Sequence, residues 1–410
     1  SMIFYGFRSN NEFKGDKTGM NNVLKVLDSN LLVALAKKEV TLRSSLNSKQ
    51  TMMLLLGFQN ISCTSENDVI TRRMINNLTN ILNDNYPMAA AILPENRINS
   101  QNVCNILCNL KSLDNRLPEV NSFLRFLSRF IESNAPSLPN SHFQVGNTKQ
   151  NSATIVMSPR HIGNAIYGLQ NMSMNTELRS LLRVLNTHSL NYKALINISA
   201  TTTNNDNGVY MNIKEVSNAL YGMKNLSLYD DETVLQFVNR LLPYLETCLL
   251  NTDRSSASLL TGQSVGNMLY GIRHLMKPKN SDSSLSLHTN TSNDVLATMT
   301  KLLVLLEQLF QRGFTTGTEN RLTGGVNMTA QEVGNALYGL QHLKSFRLHQ
   351  YDAMSGIERE YMSAVENLLC VVADRISIDQ ESMSIQSSGH LTMADRISID
   401  QESMSIQSSG

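Results

Sequence analysis

Charge is what this chain has least of. Asp, Glu, Lys and Arg together make up 17% of its 410 residues, and 35 basic against 34 acidic residues leave a formal net charge of +1. That balance excludes the electrostatic footprint of a protein that grips a polyanion without regard to sequence, so any nucleic-acid contact needs a local patch. No run approaches the roughly 18 apolar residues of a membrane span, and no charged, apolar, small-residue leader opens the sequence. The five cysteines (Cys63, Cys104, Cys108, Cys248 and Cys370) are odd in number and irregularly spaced, which argues against a disulfide framework and for a reducing, intracellular setting. Cys104 and Cys108 lie one helical turn apart, but no second Cys or His pair follows at zinc spacing, so both read as core thiols and no metal or cofactor is expected. Catalytic signatures are missing as well: there is no phosphate-binding glycine loop and no paired-His helix, and the eight histidines are scattered. Gly262-x-Ser264-x-Gly266 matches the nucleophile-elbow pattern formally, but it opens a helix with no strand before it. No catalytic residue is assigned, and the chain is expected not to be an enzyme.

Apolar residues are ample at 41%, and their arrangement is repetitive. Ile162-Gly-Asn-Ala-Ile-Tyr-Gly-Leu-Gln-Asn-Met172 returns as Val216-Ser-Asn-Ala-Leu-Tyr-Gly-Met-Lys-Asn-Leu226, then as Val265-Gly-Asn-Met-Leu-Tyr-Gly-Ile-Arg-His-Leu275 and Val333-Gly-Asn-Ala-Leu-Tyr-Gly-Leu-Gln-His-Leu343. Weaker copies run from Val103 to Leu113 and from Leu54 to Ile61. The sequence opens inside another at Ile3 to Ser9, from which we expect a natural protein extending further upstream. The glycine column (Gly6, Gly57, Asn109, Gly168, Gly222, Gly271, Gly339) advances by 51, 52, 59, 54, 49 and 68 residues, a period suited to two helices and variable loops.

Helix-start chemistry stands ten residues before each glycine. Asn212 with Glu215 and Thr329 with Glu332 form capping boxes, Ser158 precedes Pro159 at the first helical position, and Asn47, Asn99 and Thr261 occupy the same column. Met157, Met211, Leu260 and Met328 are placed to staple onto Ile162, Val216, Val265 and Val333. Val333, Ala336, Leu337, Leu340 and Leu343 then share one helical face. A second helix follows in each unit, as in Val120, Phe123, Leu124, Leu127 and Ile131, or Val234, Phe237, Val238, Leu241 and Leu245. One pair cannot bury both its faces, so the pairs must stack. The expected fold is all-α: a right-handed superhelical solenoid of tandem helix-pair repeats, about six to seven units of roughly 50–68 residues. The array is assigned to residues 1–372. Residues 373–410 form a polar tail built of an identical 17-residue duplication, Ala373–Gly389 and Ala394–Gly410, and are expected to be poorly ordered.

A helix-interior glycine costs about 1 kcal/mol against alanine, so Gly57, Gly168, Gly222, Gly271 and Gly339 imply close helix approach. The asparagine column (Asn105, Asn164, Asn218, Asn267, Asn335) is expected to bond the backbone of the neighbouring unit. The tyrosines Tyr167, Tyr221, Tyr270 and Tyr338 read as packing between units more readily than as a base-stacking platform. Two polar columns follow the glycine and carry the candidate ligand contacts: Gln59, Lys111, Gln170, Lys224, Arg273 and Gln341, then Asn60, Asn171, Asn225, His274 and His342. Neither column contains an acid, and a one-unit-per-base reader needs variable polar residues at fixed positions.

The Asn164-Ala-Ile-Tyr-Gly-Leu169 and Asn335-Ala-Leu-Tyr-Gly-Leu340 cores resemble the octotricopeptide-type helical repeats of organellar RNA-binding proteins, whose first helix carries an Asn-x-Leu-aromatic-small-Leu core. Here Tyr-Gly stands where that family has Trp-Ala. The resemblance implies RNA maturation or translation in a plastid or mitochondrion, although no targeting segment is visible. The expected partner is single-stranded RNA, bound by a monomer with no membrane association. A protein-protein interaction scaffold is the alternative that near-zero charge suits equally well.

Overall fold

The computed structural model describes residues 65–85, 100–134, 157–199, 211–229, 231–251, 260–277, 289–315, 328–341, 343 and 354–386, with isolated positions 22, 25, 26, 28 and 29. Among the described residues the regular structure is helical, with no strand. The helices are α1 (Ser65–Asn85), α2 (Ser100–Cys108), α3 (Pro118–Ser133), α4 (Pro159–Tyr167), α5 (Thr176–Ser199), α6 (Ile213–Gly222), α7 (Glu232–Asn251), α8 (Gly262–Ile272), α9 (Thr289–Thr315), α10 (Ala330–Leu340) and α11 (Gly356–Gln386). The protein is all-α.

Short and long helices alternate. The short ones begin where capping chemistry places them: Asn212 accepts from the Glu215 amide at 3.0 Å while the Glu215 carboxylate takes the Asn212 amide at 2.9 Å. Thr329 and Glu332 do the same at the start of α10, and Thr261 caps α8. At α4 the Ser158 cap is completed by His161, whose ring receives the Ser158 amide. The residues before the caps, Met157, Met211, Leu260 and Met328, are buried with their staple partners. The short helices stop within one residue of the glycine column, and the chain turns before Met172, Leu226 and Leu275. Those side chains are buried from the turn, so the apolar periodicity outlasts the helix.

The short helices pack on one another in a row, α2 on α4, α4 on α6, α6 on α8 and α8 on α10. The long helices form a second row, α1 on α3 and onward through α5, α7 and α9 to α11. The buried leucines and valines of both rows join in one continuous apolar cluster from Ile70 to Val372. Polar bonds between consecutive long helices key them together: Ser128 to Ser180 at 2.8 Å, Asn175 to Asn121 at 2.8 Å and Thr298 to Asn239 at 3.0 Å. Arginines pair with acids near the start of the next long helix, Arg72 with Glu119 (3.0 Å), Arg125 with Glu177 (2.6 Å) and Arg179 with Asp231. Those acids also lie where the helix dipole favours negative charge. α9 begins at Thr289, inside a stretch whose composition reads as loop, and α11 continues past residue 372 to Gln386, with Arg375 buried.

Candidate functional site

The first-helix row is built around the absence of a side chain. A methyl group on Gly168 would overlap the Leu107 carbonyl of the preceding unit; on Gly222 it would overlap that of Ile166, on Gly271 that of Leu220 and on Gly339 that of Leu269. The acceptor is always the residue two positions before the preceding unit's glycine-column residue. One steric register therefore repeats at each of these four joints, and backbone lies against backbone. A second small residue serves the other direction: a methyl group on Gly163 would come to 2.8 Å from the Glu215 carbonyl oxygen and one on Gly266 to 3.0 Å from that of Glu332. In α10 a methyl group on the equivalent Gly334 would meet nothing within 4 Å.

This spacing sets the tyrosines ring against ring. Tyr167, Tyr221, Tyr270 and Tyr338 form a half-exposed ladder with centroid separations of 5.8, 5.5 and 5.6 Å and interplanar angles of 30°, 27° and 26°. Offset stacking of this kind contributes about 0.5–1.5 kcal/mol per pair beyond area burial. The long polar column fills the joints between the rings. Gln170 bonds Tyr167. Lys224 Nζ sits 4.7 Å from the Tyr221 centroid and 5.6 Å from that of Tyr270. Arg273 Cζ lies 4.5 Å from Tyr270 and 4.7 Å from Tyr338. Partial burial, with the neighbouring Arg273 charge as a lesser cause, lowers the Lys224 ammonium from its usual 10.5 to about 8. Burial raises the Tyr167 and Tyr221 hydroxyls above the ordinary phenol value.

No known family model, curated protein or solved structure matches the chain. The reading of this surface therefore rests on its own geometry.

The asparagine columns turn inward to the array. Asn218 Nδ2 donates to Asn164 Oδ1 at 3.1 Å, a side-chain ladder where a side-chain-to-backbone bond is expected from sequence. In the column three residues after the glycine, Asn171 donates to the Lys111 carbonyl at 2.7 Å and Asn225 to the Gln170 carbonyl at 2.9 Å. Both candidate ligand contacts thus link their unit to the preceding one. Gln170 is buried, and Lys111, Lys224, Arg273 and His274 are half-buried, with Gln341 exposed at the end of α10. Asn105 receives the Gln101 amide at 2.9 Å, and Asn267 and Asn335 are half-buried. Gln59, Asn60, His342 and Gly57 lie outside the described residues.

Two further titratable groups of this row, Glu215 and His161, belong to the caps. Burial raises the Glu215 carboxyl against the opposing pull of the Asn212 amide and of Arg160, which lies 3.2 Å away. Burial also lowers His161, helped by Arg160. Cys104 is buried, its thiol pushed up to about 12, and Cys108 is half-buried. Among the described residues no group of three His, Cys, Asp or Glu side chains is placed to hold a metal ion, and no described helix is long and apolar enough to cross a membrane. What the sequence columns do not reveal is the pairing across units: Lys224 and Arg273 are each shared between their own tyrosine and the next.

Proposed function

We propose that the chain is a non-enzymatic helical-repeat protein that binds single-stranded RNA along its row of short helices. Its architecture in this reading is a right-handed superhelical solenoid of about six to seven units, each too small to bury its core alone. The observation that carries the reading is the tyrosine ladder from Tyr167 to Tyr338, a half-exposed aromatic strip with Lys224 and Arg273 seated on it. Single-stranded nucleic-acid sites combine aromatic surface with cations that track the backbone. Since Asn171 and Asn225 bond the neighbouring unit, the side chains offered to RNA are those of the long column, Lys111, Lys224, Arg273 and Gln341. The resemblance to octotricopeptide-type repeats supports this ligand, and with it a monomer working in a reducing compartment inside a plastid or mitochondrion.

A scaffold for another protein is the second reading. It is supported by Leu337 and Tyr338, 40% and 39% exposed on α10, whereas Ile166, Leu220 and Leu269, the counterparts of Leu337, are buried in a row where each short helix packs on the next. Binding of the full chain to a mixed RNA pool, followed by fluorescence anisotropy across a salt series, separates the two. For single strands log K falls with log salt with a slope of about −0.7 per phosphate neutralised. RNA binding that weakens with salt supports the first reading; a chain indifferent to RNA at low salt overturns it in favour of the scaffold.

A further inference from the structure

The cations seated on the tyrosine ladder differ from the arginines that key the long helices. In the long-helix row Arg72, Arg125 and Arg179 each meet a carboxylate. In the short-helix row Lys224 and Arg273, both within 6 Å of the Tyr270 centroid, form no ion pair among the described residues. The Arg273 Nε is buried without a hydrogen-bond partner, and a buried unpaired donor costs about 1–3 kcal/mol. The two cations occupy successive joints of a partly desolvated ladder, near enough that the Arg273 charge helps to depress Lys224, and like charges so placed are unfavourable until an anion joins them. The charge is also confined: the neighbouring units hold neutral Gln170 and Gln341 in the same column.

We propose that Lys224 and Arg273, seated over Tyr270 in adjacent units, together clamp a single backbone phosphate of the bound RNA. This rests on the RNA reading above and sharpens it, making one joint of the ladder a sequence-independent anchor that sets the register of the strand. Arginine supplies planar paired donors to phosphate oxygens and lysine a point charge, and the Tyr270 ring that both contact holds the two heads in place. At pH 8 this lysine is about half protonated, and the arriving anion completes its protonation, so binding takes up about half a proton there.

The test uses the full chain and two readouts. In the first, lysines are trace-labelled at pH 8 with an amine-reactive ester and the peptides are quantified by mass spectrometry. The labelling is done with and without inorganic phosphate, a mixed RNA 20-mer or polyglutamate. Labelling of Lys224 should fall at least threefold with phosphate and with RNA, but not with polyglutamate. In the second, the salt slope of RNA binding is measured for the Lys224→Gln/Arg273→Gln double variant, with its helicity checked. It should lose about 0.7 for one shared phosphate, against about 1.4 if each cation held its own, while Lys224→Arg should keep the parent slope. A chain that binds RNA with Lys224 unprotected and the slope unchanged overturns the clamp and leaves the RNA reading standing. Protection by phosphate in a chain that binds no RNA overturns the RNA reading and leaves an anion site. Protection by polyglutamate alone overturns both in favour of an acidic protein partner.

Discussion

The two rows of helices solve the same stacking problem by opposite means. The short row brings backbone onto backbone, with a glycine at each of four joints and a tyrosine, an asparagine or a long polar side chain repeated in register beside it. The long row stacks ordinary leucine and valine faces and keys them with polar pairs of differing chemistry, Ser with Ser and Asn with Asn between α3 and α5, Thr with Asn between α7 and α9. A row that relies on one steric register tolerates little substitution and leaves a motif. A row that relies on apolar area and adaptable polar links leaves only periodicity.

The largest test of that contrast is Gly222→Ala. Its new methyl would collide with the Ile166 carbonyl, which belongs to a helix and cannot swing aside as a side chain would. We expect a loss of about 3 kcal/mol, at the upper end of overpacking costs, read as a lower midpoint in urea unfolding followed by circular dichroism. A loss below that of an exposed glycine substitution would show that the short row does not depend on this approach.

Next is Asn225→Ala, which removes the 2.9 Å bond to the Gln170 carbonyl of the preceding unit. The carbonyl is left without its side-chain donor, so about 1–2 kcal/mol should be lost. A neutral result in the same unfolding assay would return Asn225 to the list of side chains free to read a ligand.

Gly334→Ala reverses the sign. Gly334 occupies the column of Gly163 and Gly266, yet α10 ends the described short row and a methyl there meets nothing within 4 Å. With no neighbour to offend, the helix propensity gain of about 1 kcal/mol should appear as added stability. If the variant is destabilised, a further helix covers that face in solution.

How much of this could be read from residues alone follows the same division. Helix starts were legible at Asn212, Thr261 and Thr329 because capping is local chemistry, settled within four residues. His161 completing the Ser158 cap was not, since histidine is an uncommon partner in that role. Close approach at Gly168, Gly222, Gly271 and Gly339 was legible because a helical glycine needs a reason; which carbonyl it approaches was not, because that depends on the crossing of two helices from different units. The polar columns were legible as columns. Asn171 and Asn225, read as ligand contacts, also bond the backbone of the preceding unit, and a side chain that does so looks in sequence like one that awaits a ligand.

Lys224→Met tests the charge held in the short row. The folded ammonium titrates near 8 against an ordinary 10.5, so at neutral pH the fold carries a charge that its partly buried site disfavours. Removing it should raise the melting temperature at pH 7. As pH climbs from 8 toward 10.5 the folded protein releases this proton before the unfolded chain does, which stabilises the parent progressively. The variant's advantage should therefore shrink across that window. An advantage independent of pH would mean that methionine gains by packing alone.

The smallest effect belongs to the long row. Arg125 and Glu177 are 2.6 Å apart, but the arginine is 54% exposed, so water screens the pair. Arg125→Ala should cost about 0.5 kcal/mol, within the range of exposed ion pairs. The Arg125 hydrogen bond is the first cause of the lowered Glu177 carboxyl. Its contribution is thus fully present above the ordinary glutamate value and disappears as pH falls through the lower folded value. Parent and variant should converge in acid and in high salt. A gap that persists under both conditions would mean that the Arg125 stem packs against α5 as an apolar strut, and the long row would then share the short row's dependence on fitted contacts.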